Sequence, residues 1–342
     1  MDKSERENSK RIGLLTGGGD CPGLNAAIRA VVMKGIQLGY EVVGIKNGWK
    51  GLMGETDTKV MTESDIEEIL DKGGTILGSG KINPAKIENG IPQIERNFRK
   101  LKLEGVIAIG GDGTLAVGQK FSKDFPIIAV PKTIDNDVEG TDFCIGFWTA
   151  VQTATEALDK LHSTAESHSR VMVLEVMGRD FGWIATYAGL AGGADFILVP
   201  EEPVDIDEVC KMIKERIKKG KNFCLIVVSE GVRVKKTPGL KKIPVELCGA
   251  GNEVAGLISE KMGVETRSVN IGHILRGGSP CAFDRILGTR LGIKAMEEAS
   301  KKRFRRAVVL RGDSILSIPF EEIKGGRKVN PEVYDAAETF FN

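Results

Sequence analysis

Short apolar runs alternate with longer helix-patterned segments along almost the whole chain, and this alternation is the tightest constraint on how it can fold. Runs at 12–16, 41–45, 105–109, 126–130, 170–176, 196–199, 223–228, 264–271 and 307–310 predict strands. The segments 23–38, 63–71, 114–121, 149–162, 181–190, 206–218, 252–262 and 284–300 predict helices between them. Such alternation builds α/β folds with mainly parallel sheets, because a parallel pair needs a crossover long enough to hold a helix. At 342 residues the chain has the length of about two domains. Two sheets in two domains are expected, divided near residues 144–148, and no repeat or linker interrupts the pattern.

Charge and cysteine usage narrow the partners. With 48 Lys and Arg against 47 Asp and Glu, the net charge is +1. Nothing therefore predicts a general attraction to nucleic acid or to an anionic membrane. The cysteines at 21, 144, 210, 224, 248 and 281 are scattered with no C-x-x-C, so a reducing compartment is expected rather than a disulfide framework. His162, His168 and His273 lack the paired cysteines of a zinc site, so any metal would be a hard ion on oxygen ligands. The N-terminus MDKSERENSKR has no apolar core of a signal peptide, and no run of 18 apolar residues exists. A cytoplasmic protein is expected.

The densest chemistry is PKTIDND at 131–137. It follows the predicted strand 126–130, and open α/β sheets bind ligands at the carboxyl ends of their strands. Asp135 and Asp137 are two apart, so in an extended segment they would point the same way, one as a base and the other holding a metal or its neighbour. The alternative is an Asx-rich turn.

Two glycine cradles flank it. Thr16-Gly17-Gly18-Gly19-Asp20-Cys21-Pro22-Gly23 joins the first strand to a helix, a context in which backbone N–H groups and the helix N-terminus hold phosphate. Its spacing is neither G-x-G-x-x-G nor G-x-x-x-x-G-K-[ST]. Gly110-Gly111-Asp112-Gly113-Thr114 repeats the context with a carboxylate inside it. That suits Mg²⁺, which binds one or two carboxylates plus phosphate oxygens. The plainer reading of Asp112 is a helix N-cap. A third glycine-rich stretch, 73–81, ends in Lys81 and reads as a surface loop or a mobile phosphate-contacting loop. Met177-Gly178-Arg179, Glu230 and His273-Ile274-Leu275-Arg276-Gly277-Gly278 follow later strands and suit a developing phosphoryl charge, substrate hydroxyls and a second phosphate; each could instead be structural. Together they suggest phosphoryl transfer from a polyphosphate to a phosphorylated compound with a free hydroxyl.

GGGDCPGLNAAIR, GGDGT, PKTIDND, EVMGRDFG and GHILRGGSP, in this order, resemble the 6-phosphofructokinase family from about residue 12 to residue 330. The resemblance implies two doubly wound three-layer α/β/α domains with mainly parallel sheets. Residues 1–146 plus about 275–325 would form the phosphoryl-donor domain, and 147–274 plus about 326–342 the sugar-phosphate domain. It implies Mg²⁺-dependent phosphorylation of the 1-hydroxyl of fructose 6-phosphate, and a homotetramer or homodimer with shared active sites. By resemblance Asp135 is the general base, Thr133 and Ile134 line the sugar, and Gly19 and Arg179 stabilise the phosphoryl group in flight. Asp112 holds Mg²⁺. Gly19, Lys81, Ile82, Gly113, Thr114 and Lys132 fall on the donor. Met177, Gly178, Glu230, His273 and Arg276 match sugar-phosphate contacts, with Arg170 and Arg267 matching those given to the neighbouring subunit.

The chain departs from the family pattern where the donor is chosen. Bacterial ATP enzymes usually have glycine at the position of Lys132; pyrophosphate enzymes usually have lysine there, but with aspartate in place of Gly113. An aspartate at 113 would repel an ATP α-phosphate, and glycine leaves room for it. Lys132 would favour a leaving phosphate that carries no nucleoside. The reading taken is ATP as donor, with pyrophosphate as the alternative. Lys46 stands where an adenine-stacking aromatic is common, and Lys81 where an arginine is usual; a lysine is a point charge rather than a planar fork. Of the family's effector pocket, Arg29 and Lys221 match, but Met33 and His162 replace arginines, so weak allosteric control is expected. NAD and lipid kinases share GGDGT but lack PKTIDND. A non-catalytic nucleotide-binding protein would need the cradles but not Asp135.

Overall fold

The structure, a computed structural model, describes residues 10–80, 82–121, 125–235 and 249–341. The chain divides into two compact units: residues 1–149 with 276–326, and residues 150–275 with 327–342.

The first unit is built on a seven-stranded sheet: β1 (Lys10–Gly17), β2 (Tyr40–Ile45), β3 (Thr58–Val60), β4 (Gly105–Gly110), β5 (Ile127–Pro131), β10 (Arg306–Arg311) and β11 (Ser314–Pro319), in the order β11-β10-β5-β4-β1-β2-β3. The central pairs are parallel, and only the edge strands β3 and β11 pair antiparallel. From β1 the chain goes to β2 on one side and returns to place β4 on the other. The sheet's switch point therefore lies between β1 and β4, where open α/β sheets leave a crevice for ligand. Helices α1 (Leu24–Gln37) and α8 (Ala282–Ser300) pack on each other and on one face, with Gly35 of α1 closing onto Val42. On the other face Ile94 of α2 (Gly90–Lys100) and Leu115 and Val117 of α3 (Asp112–Lys120) join Leu15, Val43, Val106, Ala108, Ile127 and Ala307 in one apolar core.

In the second unit β6 (Val171–Val176), β7 (Phe196–Leu198), β8 (Cys224–Ser229) and β9 (Thr266–Asn270) form an all-parallel sheet in the order β7-β8-β6-β9. Val171, Val173, Ile226 and Val228 are covered by α6 (Ile206–Lys218) and α7 (Ala250–Met262). Met172 and Leu225 lie instead against α4 (Phe147–His168), while α5 (Trp183–Ala191) packs on β7, β8 and α9 (Pro331–Glu338). Both units are helix–sheet–helix layers, as the alternation predicts.

The differences have local causes. The predicted helix 63–71 is only a 3-10 turn, Glu63–Asp65. The Asp65 carboxylate accepts from Thr62 N at 2.9 Å and from Lys59, closing a turn instead of starting a helix. Helix α4 runs past residue 162 to His168, with Ser163 and Ser167 donating to the Lys160 and Ser163 carbonyls, and the backbone turns left-handed at Ser169. Helices α2 and α9 and edge strands β3 and β11 escaped the sequence reading. The helices are short, and α2 is strongly polar. The edge strands are half-exposed, so neither presents an apolar run.

One buried carboxylate ties α8 to the start of α4. Asp284 is fully buried and accepts from Gly146 N at 2.8 Å, Thr149 N at 2.7 Å and Thr149 Oγ1 at 2.6 Å. Asp284→Ala strands these donors, and we expect a loss of about 3 kcal/mol in chemical denaturation, with Asp284→Asn losing less because one acceptor oxygen remains. Equal losses would contradict this role.

Candidate active site

In the first unit both glycine cradles open at the β1–β4 switch point. The close approach of their strand ends is set by one side chain. A Cβ at Gly17 would lie 2.5 Å from Thr114 Oγ1, and a Cβ at Gly110 would collide with Thr114 as well. Thr114, predicted to touch the donor, is a buried wedge between the strands. The 73–80 stretch is no loose surface loop. Gly80 pairs with Gly17, Gly18 N donates to Gly80 O at 3.1 Å, and Ser79 Oγ donates to Gly18 O. Asn25, which the sequence reading did not single out, clamps it by donating to Lys72 O and Gly73 O and accepting from Ile76 N at 2.9 Å. Lys46 Nζ adds a bond to Ile76 O at 2.8 Å. Lys81 lies outside the described residues; Ile82 beside it is exposed.

Asp112 is the first residue of α3 rather than its N-cap, which is Gly111. Its carboxylate is exposed and lies where a Cβ on Gly325 would come within 2.7 Å. Among the described residues no cluster of three or more His, Cys, Asp or Glu could cage a metal. A single exposed carboxylate beside a backbone cradle fits Mg²⁺, which keeps several waters and takes its other ligands from phosphate. Around Gly113 a Cβ would meet nothing within 4 Å.

Lys132 is 2% exposed, pairs in parallel with Ile145, and its ammonium donates to Gly19 O. Burial pushes its pKa down. Arg276 Nη1 reaches Asp20 O at 3.3 Å, and a Cβ on Gly19 would sit 2.5 Å from it. Both cations thus hold the 17–23 loop.

The PKTIDND segment leaves β5 as a turn and not as an extended strand. Asn136 has φ 49°, a left-handed conformation, so Asp135 and Asp137 do not share a face by strand alternation. Asn136 Oδ1 accepts from Cys144 N at 2.9 Å and its Nδ2 donates to Asp142 O at 3.3 Å, while Asp135 N donates to Thr133 Oγ1 at 3.1 Å. These bonds fix a half-exposed Asp135, with the Ile134 side chain fully buried beneath it.

In the second unit the carboxyl ends of β6, β8 and β9 adjoin. Met177 is buried, Arg179 and His273 are exposed, and Gly231 N donates to Gly178 O at 3.1 Å, linking the Met177-Gly178-Arg179 turn to the segment that carries Glu230. Arg170 and Arg267 lie at the opposite end of the sheet. Both grip Glu265, at 2.8 Å each. The six residues of β6 separate Arg170 from the Met177 turn by about 20 Å along the strand.

Fold and cradles define an α/β protein with two glycine-rich strand-to-helix turns at the carboxyl edge of a mainly parallel sheet. The family model for phosphofructokinase matches residues 11–299. The ATP-dependent 6-phosphofructokinase of Corynebacterium efficiens is 44% identical over 97% of this chain and 99% of its own length. The pyrophosphate–fructose 6-phosphate 1-phosphotransferase of Amycolatopsis methanolica is 48% identical with the same coverage. The phosphofructokinase of Pichia pastoris, solved in its T-state, superposes with a TM-score of 0.81 at 30% identity, covering 97% of this chain and 36% of that one. The chain belongs to the phosphofructokinase family.

Asn136→Ala should cost about 3 kcal/mol, from two lost hydrogen bonds and a left-handed alanine, and Asn136→Gly about 1–2 kcal/mol less. Thermal unfolding separates the two variants; turnover should fall in both as Asp135 loses its support. Equal stability of the two would rule out the backbone contribution.

Proposed function

We propose that the protein is a 6-phosphofructokinase that transfers the γ-phosphoryl group of ATP to the 1-hydroxyl of fructose 6-phosphate, giving fructose 1,6-bisphosphate in glycolysis. The observation that carries this reading is Asp135, a half-exposed carboxylate on a turn locked by Asn136, in the same unit as both glycine cradles. Asp135 accepts the hydroxyl proton as that oxygen bonds to the γ-phosphorus and the bond to the β-phosphate oxygen breaks. Gly19 and Arg179 take up charge on the moving group. Asp112 would hold Mg²⁺, which would neutralise charge on the polyphosphate.

The first unit serves as the donor domain, and the second, with Met177, Gly178, Glu230 and His273, as the sugar-phosphate domain. Arg170 and Arg267 sit toward the amino end of their sheet, away from Arg179, and both engage Glu265. This supports a homotetramer or homodimer in which they serve a neighbouring subunit. No helix among the described residues is long and apolar enough to cross a membrane; the reading places the enzyme in the cytoplasm.

ATP as donor is supported by the open space around Gly113. The second reading, pyrophosphate, rests on Lys132, whose ammonium stands beside the Gly19 loop with two donors beyond the one given to Gly19 O. Steady-state rates on each donor decide it: a pyrophosphate rate far above the ATP rate overturns the assignment. Under the pyrophosphate reading Lys132→Gly abolishes pyrophosphate turnover, and a loss confined to ATP contradicts that reading. Asp135→Ala should lower turnover at least about 10²-fold with sugar-phosphate affinity largely kept; unchanged turnover would remove it from the mechanism.

A further inference from the structure

Glu175 is the last but one residue of β6 and only 2% exposed. Burial pushes its carboxyl above the ordinary range; the Gly251 N–H opposes this, and the charge of Glu230 adds to it. A carboxylate kept in so dry a place is costly unless its lone pairs are taken. Here they are. Oε1 accepts from Asn270 Nδ2 at 2.7 Å, and Oε2 accepts from Gly251 N at 2.9 Å. A Cβ on Gly251 would stand 2.9 Å from that of Glu175, so only glycine lets the start of α7 come this near.

The link does not stop at Asn270. Its Oδ1 accepts from Gly272 N at 2.8 Å, and the Glu175 carbonyl accepts from Ile271 N at 3.1 Å. Side chain and backbone of Glu175 therefore both hold the three residues that lead out of β9 into His273. These bonds cross from β6 to β9, where the second sheet reverses its winding and a ligand crevice is expected.

We propose that Glu175 is a positioning residue for sugar-phosphate binding, acting on His273 through Asn270 and Gly272. This rests on the assignment of His273 as a sugar-phosphate contact. In the full-length protein with saturating Mg·ATP, Glu175→Gln places an N–H against an N–H donor and breaks one arm of the relay. Its KM for fructose 6-phosphate should rise about tenfold, the scale of one hydrogen bond to a charged group, with kcat within about twofold and the KM for ATP unchanged. Asn270→Ala, at an exposed side chain, should move the same constant in the same direction and serves if Glu175→Gln does not fold. Adding His273→Ala to either variant should raise KM no further than His273→Ala does alone. Multiplicative effects, or a lowered melting temperature with KM unmoved, overturn the proposal and leave Glu175 purely structural. An unchanged KM in His273→Ala alone overturns instead the assignment of His273.

Discussion

The Lys132 side chain is nearly sealed from water, where burial pushes its pKa down, and its amino group donates to the Gly19 carbonyl. The bond joins the loop after β1 to the segment leaving β5, across the switch point where β4 sits between them. Its backbone is tied as well, Lys132 N donating to Gly110 O at 3.0 Å. One residue thereby references both glycine cradles to each other, and the turn bearing Asp135 begins immediately after it. If the ammonium moved, the Gly19 loop would lose its direct link to the segment that carries Asp135.

The second unit applies the same economy of placement at its own carboxyl edge. Parallel strands place all their strand-to-helix turns at one end of the sheet, so Arg179, Glu230 and His273 fall at the same end without being close in sequence. Arg170 and Arg267 gather equally well at the other end, on Glu265. A single sheet thus carries arginines toward both of its ends.

Much of this was legible in the sequence because each feature has a local signature. The central strands are apolar runs, and the cradles are glycines at strand-to-helix turns. What stayed hidden depends on long-range contacts. Of the two readings of PKTIDND, an extended segment or an Asx-rich turn, the turn is the one formed, because the left-handed backbone of Asn136 is held by Cys144 and Asp142. The packing of Thr114 against Gly17 and Gly110 has no local signature either. The 73–80 stretch reads as a surface loop from its glycines, and its bonds to Asn25 and the Gly18 loop come from distant residues that the local sequence does not show. Edge strands β3 and β11 are half-exposed and leave no apolar run to read.

The central claim is that the Asp135 carboxylate stands against the hydroxyl that is phosphorylated. A crystal structure with fructose 6-phosphate, Mg²⁺ and a non-transferable ATP analogue tests it directly. The account predicts an Asp135 oxygen within about 3 Å of the sugar's 1-hydroxyl oxygen, the reach of a general base. An Asp135 side chain turned from the sugar, or paired with another residue while the hydroxyl faces a different group, would contradict it.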